Sequence, residues 1–276
     1  RDSLIAGSTD EKSRGKGFGF HKAMDNSGAI LGPLLAFAIL ALFPGEYRKI
    51  FLVAGIPSVI GLISLVLFVK EAKKDKSDIP DRIRLTDFPK KFYFFLGIAF
   101  LFTLGNSTDA LLLVKAGDVG IKDAFIPIMY LIFNSVSVFF SVPAGMLSDR
   151  IGREKLIIFG YLLYALIYFG FGATGSEGMV VLLFALYGIY SAATDGAQKA
   201  LVSDMIDKSK RGTALGLYNS IIGITLLPAS VIAGLLYDNV SNRAPFFFGA
   251  GMAFTAAIFM LAFWALYHSG QPRHKI

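Results

Sequence analysis

Eight stretches of this 276-residue chain contain no Asp, Glu, Lys or Arg: 26–45, 50–69, 92–108, 124–148, 156–176, 178–194, 212–237 and 244–267. Asp109 interrupts the third, which resumes over 110–114, and Asp195 ends the sixth. About 20 mostly apolar residues carry a helix across about 30 Å of hydrocarbon. Helices of a soluble protein show a polar face at a period of 3.6 residues, and these stretches have none. They also contain Gly32, Pro33, Pro57, Pro127, Pro143 and Pro228, which membrane helices tolerate better than soluble ones. Strands of a membrane barrel alternate over about 10 residues, a pattern absent here. The fold class read from this layout is an all-α polytopic membrane protein with eight transmembrane helices. Composition agrees: 17% of residues are charged and 54% hydrophobic, against about 25% and 45–50% in soluble domains.

The positions of the charges give an orientation. With eight spans, both ends of the chain lie on one side, together with the loops 70–91, 149–155 and 199–211. Of 27 Lys and Arg, only Arg48, Lys49, Lys115, Lys122 and Arg243 fall on the other side. The positive-inside rule makes the basic face cytoplasmic, in the cell membrane. The net charge of +7 is then a topology signal, and no nucleic-acid partner is expected. The mixed-charge segment 70–91 reads as a cytoplasmic linker between 1–69 and 92–276, with anionic headgroups as a secondary ligand. Cysteine is absent, and His21, His268 and His274 are scattered, so no metal site is expected. No P-loop, HExxH, GxSxG or strand-linked GxGxxG occurs. The chain reads as a non-enzyme without a cofactor.

Residues 6–20 align without a gap on 203–217: Asp10 with Asp207, Arg14 with Arg211, Gly15 with Gly212 and Gly19 with Gly216. Each copy leads into an apolar stretch with an interior proline, Pro33 or Pro228. Such duplication is a transporter signature. If the copies correspond, four further spans are expected ahead of residue 1. Residues 1–69 would then hold the last two helices of a first six-helix bundle with the loop before them. Residues 92–276 would be a complete second bundle with a short cytoplasmic tail.

The loop Gly145-Met-Leu-Ser-Asp149-Arg150-Ile-Gly152-Arg153-Glu154-Lys155 resembles the cytoplasmic motif G-x-L-(A/S)-D-R-x-G-R-(R/K) of the major facilitator superfamily. Glu154 departs from it, with Lys155 one residue late. Gly28, Gly32 and Pro33 resemble that family's fifth-helix glycine–proline motif, often associated with antiporters; small-residue helix packing is the alternative. The resemblance covers the whole chain. It implies a monomeric twelve-helix transporter of two bundles that rock about a central cavity. It places Asp149 and Arg150 at the seam between bundles, where a carboxylate faces the N-terminal dipole of the helix starting near Arg14-Gly15. The plainer reading makes Asp149, Arg150, Arg153 and Lys155 topology determinants only.

Polar residues inside the spans carry the functional expectation. They are Asn106 and Asp109 in the third, Asn134 in the fourth, and Tyr187, Tyr190, Asp195 and Gln198 in or beside the sixth. Charges in hydrocarbon are costly and usually face a cavity or partner. Asp109 and Asp195 are the candidate proton carriers, because desolvation favours a neutral carboxyl group; the competing view makes them interfacial acids. Asp25 reads as a first-turn dipole partner. The expected function is proton-driven secondary transport of a small solute, with export favoured over uptake by the glycine–proline motif. A non-transporting sensor or scaffold on the same fold is the rival.

Overall fold

The computed structural model describes residues 2–42, 47–68, 85–106, 109–122 and 125–268. A short helix α1 (Asp2–Ser8) and one 3-10 turn (Glu11–Ser13) lead into α2 (Arg14–Leu42) and α3 (Tyr47–Phe68). Another 3-10 turn (Leu85–Asp87) precedes α4 (Lys90–Gly105) and α5 (Ala110–Asp118). Then follow α6 (Ile126–Ile151), α7 (Arg153–Ala173), α8 (Glu177–Met205), α9 (Arg211–Asn239) and α10 (Ala244–His268). The uncharged stretches fall on α2, α3, the α4–α5 pair and α6 to α10. Among the described residues six spans are long and apolar enough to cross a membrane, with mean hydropathy from 1.4 to 2.0. Four of the six are α6 to α9; the others are Lys90–Asp118 and Ala244–Tyr267.

Packing is built on close helix crossings. α2 lies across α6 and α8, α6 packs on α8, and α7 fills the space between α8 and α10. α4 joins α10 and α9, and α1 touches α9. Aromatic side chains fill the centre. Phe102 stacks on Tyr161 with ring centroids 4.0 Å apart, and Tyr164 stacks on Tyr168 at 4.1 Å. Offset and edge-on ring pairs add about 0.5–1.5 kcal/mol each beyond area burial. The outer faces are as apolar as the core: Phe139, Ile224 and Leu227 are more than 70% exposed. In water such a surface would associate; hydrocarbon is the solvent that fits it.

Three details differ from expectation. α2 begins at Arg14, not at the edge of the charge-free stretch near Asn26, because its first turns are charged. Asp25 therefore sits three turns inside α2 and is not a first-turn residue. Asn106 has φ −97° and ψ 83°, outside helical space, so the third span divides into α4 and α5 there. Gly28 and Gly32 are not at a close helix contact: among the described residues, an added Cβ at either would meet nothing within 4 Å. Most of the linker 70–91 and the tail from 269 lie outside the described residues.

Candidate functional site

At the basic end of the bundle α2 packs tightly against α6. Glycine makes the approach possible: a Cβ on Gly15 would stand 2.6 Å from the carbonyl oxygen of Gly145, and one on Gly145 would stand 2.8 Å from the carbonyl carbon of Gly15. One α-turn further, Gly19 lies against the backbone of Ser141. Close backbone contact places the N-terminus of α2 directly over Asp149. The Gly15 N–H donates to Asp149 Oδ1 at 2.9 Å and the Lys16 N–H to Asp149 Oδ2 at 2.9 Å. A helix N-terminus leaves its first amide donors unpaired, and a carboxylate there also meets the positive end of the dipole. Asp149 thus sits on the N-terminus of α2.

Arg153, not Arg150, completes this cluster. Gly152 has φ +101°, a conformation that favours glycine, and it turns the chain so that Arg153 points inward at the start of α7. Its guanidinium pairs with Asp149, meets Asp204 at 3.2 Å and Ser148 Oγ at 3.2 Å, and donates to the Glu11 carbonyl at 2.8 Å. Arg14, 3% exposed, pairs with the same Asp204. Arg150 is exposed. Asp204 was not singled out from sequence. Its only signal was an acid at the basic end of a long apolar helix.

Deeper in the bundle lies a cavity of about 250 Å³. Its lining includes Lys22 from α2, Asn106, Tyr190, Asp195 and Gln198, with Phe102 and Tyr218 as apolar walls. Lys22 Nζ pairs with Asp195 across the α2–α8 contact, and Ser191 Oγ donates to the same carboxylate at 3.3 Å. The Tyr218 hydroxyl donates to Gln198 Oε1, and the Tyr164 hydroxyl donates to Asn106 Oδ1 at 3.2 Å. Next to this lining, the Tyr187 hydroxyl donates to Asp109 Oδ1 at 2.8 Å. Among the described residues no cation pairs with Asp109, although Lys22 and Asp195 lie within electrostatic reach of it. Asn106, Asp109, Tyr187, Tyr190, Asp195 and Gln198 are thus brought together from α4, α5 and α8. Asn134 is apart: it is buried and donates to the carbonyl of Tyr130 in its own helix at 2.8 Å.

Lys22 was missed because it stands among the basic residues that flank the first apolar stretch. A signal existed. Gly15, Gly19, Lys22 and Asn26 recur at helical spacing and form one face of α2, and Asn26 Nδ2 donates to Ser137 Oγ on α6 at 2.6 Å.

A bundle of membrane-length helices around a charged, aromatic-walled cavity, with a carboxylate on a helix N-terminus at one end, fits a multi-pass membrane transporter. The sequence comparison names the family. The model of the Major Facilitator Superfamily matches residues 2–113 and again 94–275, and the chain belongs to that family. An uncharacterised MFS-type transporter of Methanocaldococcus jannaschii is 36% identical over 95% of this chain and 67% of its own length. Multidrug resistance protein 1 of Bacillus subtilis is 30% identical over 67% of this chain and 44% of its own. The solved structure of the proton:xylose symporter XylE superposes with a TM-score of 0.77 at 17% identity, covering 95% of this chain and 66% of that one. The chain spans about two thirds of the length of the M. jannaschii relative and of that symporter.

Proposed function

We propose that this protein moves a small solute across the cell membrane by alternating access, driven by the proton gradient, with Asp109 as the carboxylate that binds the proton. The eight helices would belong to a monomeric twelve-helix transporter, with the basic end in the cytoplasm. In that setting the described conformation is closed to the cytoplasm. The observation that carries the reading is the Asp109–Tyr187 contact: an acid at the helix break between α4 and α5, hydrogen-bonded by a tyrosine and without a paired cation among the described residues. Asp195, neutralised by Lys22, is the weaker of the two candidate proton carriers. A carboxyl group that alternates between water on the two sides loads a proton on one and releases it on the other. Export is the proposed direction, supported by the glycine–proline motif and by the multidrug resistance relative.

The test is the full-length protein in liposomes loaded with the pH dye pyranine. Amino acids, sugars and organic cations are added in turn. A solute that moves protons in wild type but not in Asp109→Asn, while still exchanging against itself in the variant, is the expected result. Proton movement that persists in Asp109→Asn removes Asp109 from the mechanism. Vesicles in which no solute moves protons refute proton coupling.

A further inference from the structure

From the Lys22–Asp195 ion pair in the cavity wall we infer a zwitterionic solute: one that carries an ammonium and a carboxylate together, as amino acids and related compounds do. The inference deepens the transport reading and rests on it.

The argument is one of charge balance. Lys22 and Asp195 come from two helices, α2 and α8, and meet at the cavity. The other charged groups of the lining are engaged within the protein. His21 lies 3.6 Å from Asp25, and Lys199 lies 3.0 Å from Asp2. A solute entering here therefore confronts one cation and one anion that already satisfy each other. An organic cation bound to Asp195 leaves Lys22 unpaired, and an anion bound to Lys22 leaves Asp195 unpaired. The pair is half-buried in the cavity wall, so the penalty is smaller than for a fully enclosed pair, but either charge left alone there still loses its compensation. A zwitterion avoids both penalties. Its carboxylate takes Lys22, its ammonium takes Asp195, and the cavity stays neutral without any proton changing place. This keeps substrate binding separate from the proton on Asp109.

The rest of the wall fits such a ligand. Asn106 and Gln198 offer polar atoms at the rim of the pair, while Phe102, Tyr190 and Tyr218 provide an apolar and aromatic flank for a side chain. The volume of about 250 Å³ suits a molecule of amino-acid size rather than a large drug.

Three probes that share one skeleton separate the cases: L-phenylalanine, phenethylamine and 3-phenylpropanoate. Binding to the purified full-length protein is read by calorimetry and thermal shift. In wild type, phenylalanine is expected to bind about tenfold more tightly than either singly charged probe. Lys22→Gln exposes Asp195 and should reverse the preference towards phenethylamine. Asp195→Asn exposes Lys22 and should reverse it towards 3-phenylpropanoate. A misfolded variant would lose all three probes and could not gain one, so the two opposite gains report the charge pair itself. The inference is overturned if a singly charged probe matches phenylalanine in wild type, if none of the three binds, or if both variants keep the wild-type order. Proton movement in the pyranine vesicles with organic cations but not with amino acids would sink the zwitterion and leave the transporter intact. Preference for phenylalanine in vesicles that move no protons would keep the zwitterion and refute proton coupling.

Discussion

Replacing Asp149 with asparagine should open the basic end of the bundle, the end proposed to face the cytoplasm. In the described structure this carboxylate accepts two main-chain bonds from α2, each 2.9 Å long. Hydrogen bonds to a charged group are worth about 1.5–3 kcal/mol net. Asparagine keeps one neutral acceptor and presents an NH2 group to the second donor. One bond is lost and the other weakened, for a total of about 2–4 kcal/mol. Arg153 retains Asp204, Ser148 and the Glu11 carbonyl, so no guanidinium is orphaned. At 1.36 kcal/mol per decade the closed-to-open ratio falls by roughly 30- to 1000-fold. The chain has no cysteine, so a single reporter is easily placed. Ser141→Cys sits fully buried beneath Gly19 of α2. Maleimide modification of this cysteine in inside-out vesicles should accelerate at least tenfold when Asp149→Asn is added. Arg150→Ala, at an exposed position, should leave the rate unchanged. Equal rates in the wild-type and Asp149→Asn backgrounds would reduce the motif to a topology signal.

Other substitutions probe the same seam. Gly145→Leu forces a side chain into the backbone of Gly15 and Lys16; overpacking of this kind costs about 1–3 kcal/mol, and the Ser141→Cys reporter should again react faster. Asp204→Asn strips the shared partner from Arg14 and Arg153 and should cost about 3 kcal/mol, seen as a lowered melting temperature in detergent. Gly152→Ala forces alanine to φ +101°, a strain of about 1–3 kcal/mol, which should lower the melting temperature and displace Arg153 enough to speed the reporter.

Much of the fold was legible because hydrocarbon imposes a simple demand. A spanning helix can carry few charges, so the uncharged stretches located α2, α3 and α6 to α10 directly. Helix ends were less legible. The first turns of α2 carry Arg14, Lys16 and Lys22, and a reading by charge alone assigns such residues to a loop. The partner of Asp149 could be anticipated only through the family resemblance, which sets this loop against the helix starting near Arg14-Gly15; the unpaired amides there suit a carboxylate. Which arginine joins it could not, because Arg150 and Arg153 lie on opposite sides of a turn whose direction depends on the φ of Gly152. For the cavity, residue type identified the acids and tyrosines. It could not tell Asn134, which bonds its own helix, from Asn106, which meets Tyr164. That distinction is set by rotation about the helix axis, and a uniformly apolar helix gives no periodicity from which to read it.

The contact between α2 and α8 has the form of a ladder. Arg14 pairs with Asp204, Lys22 pairs with Asp195, and between them Gly196 lies against Phe18 and Gly19. The helices run antiparallel, so eight residues along α2 correspond to nine along α8. At 1.5 Å per residue the rungs stand about 12 Å apart. Charges this far apart, with no shared partner, act additively in a rigid body. If α2 leaves α8 as one piece during opening, both rungs must break together. Asp204→Asn and Asp195→Asn should then each raise the labelling rate of Ser141→Cys, and the double variant should show the product of the two factors. If α2 instead bends at Gly19, the outer rung opens alone. Asp204→Asn would then speed labelling as much alone as in the double variant, and Asp195→Asn would have no effect. That second pattern would refute rigid separation. It would mean that the cavity can admit water from the basic end while the Lys22–Asp195 pair is still closed.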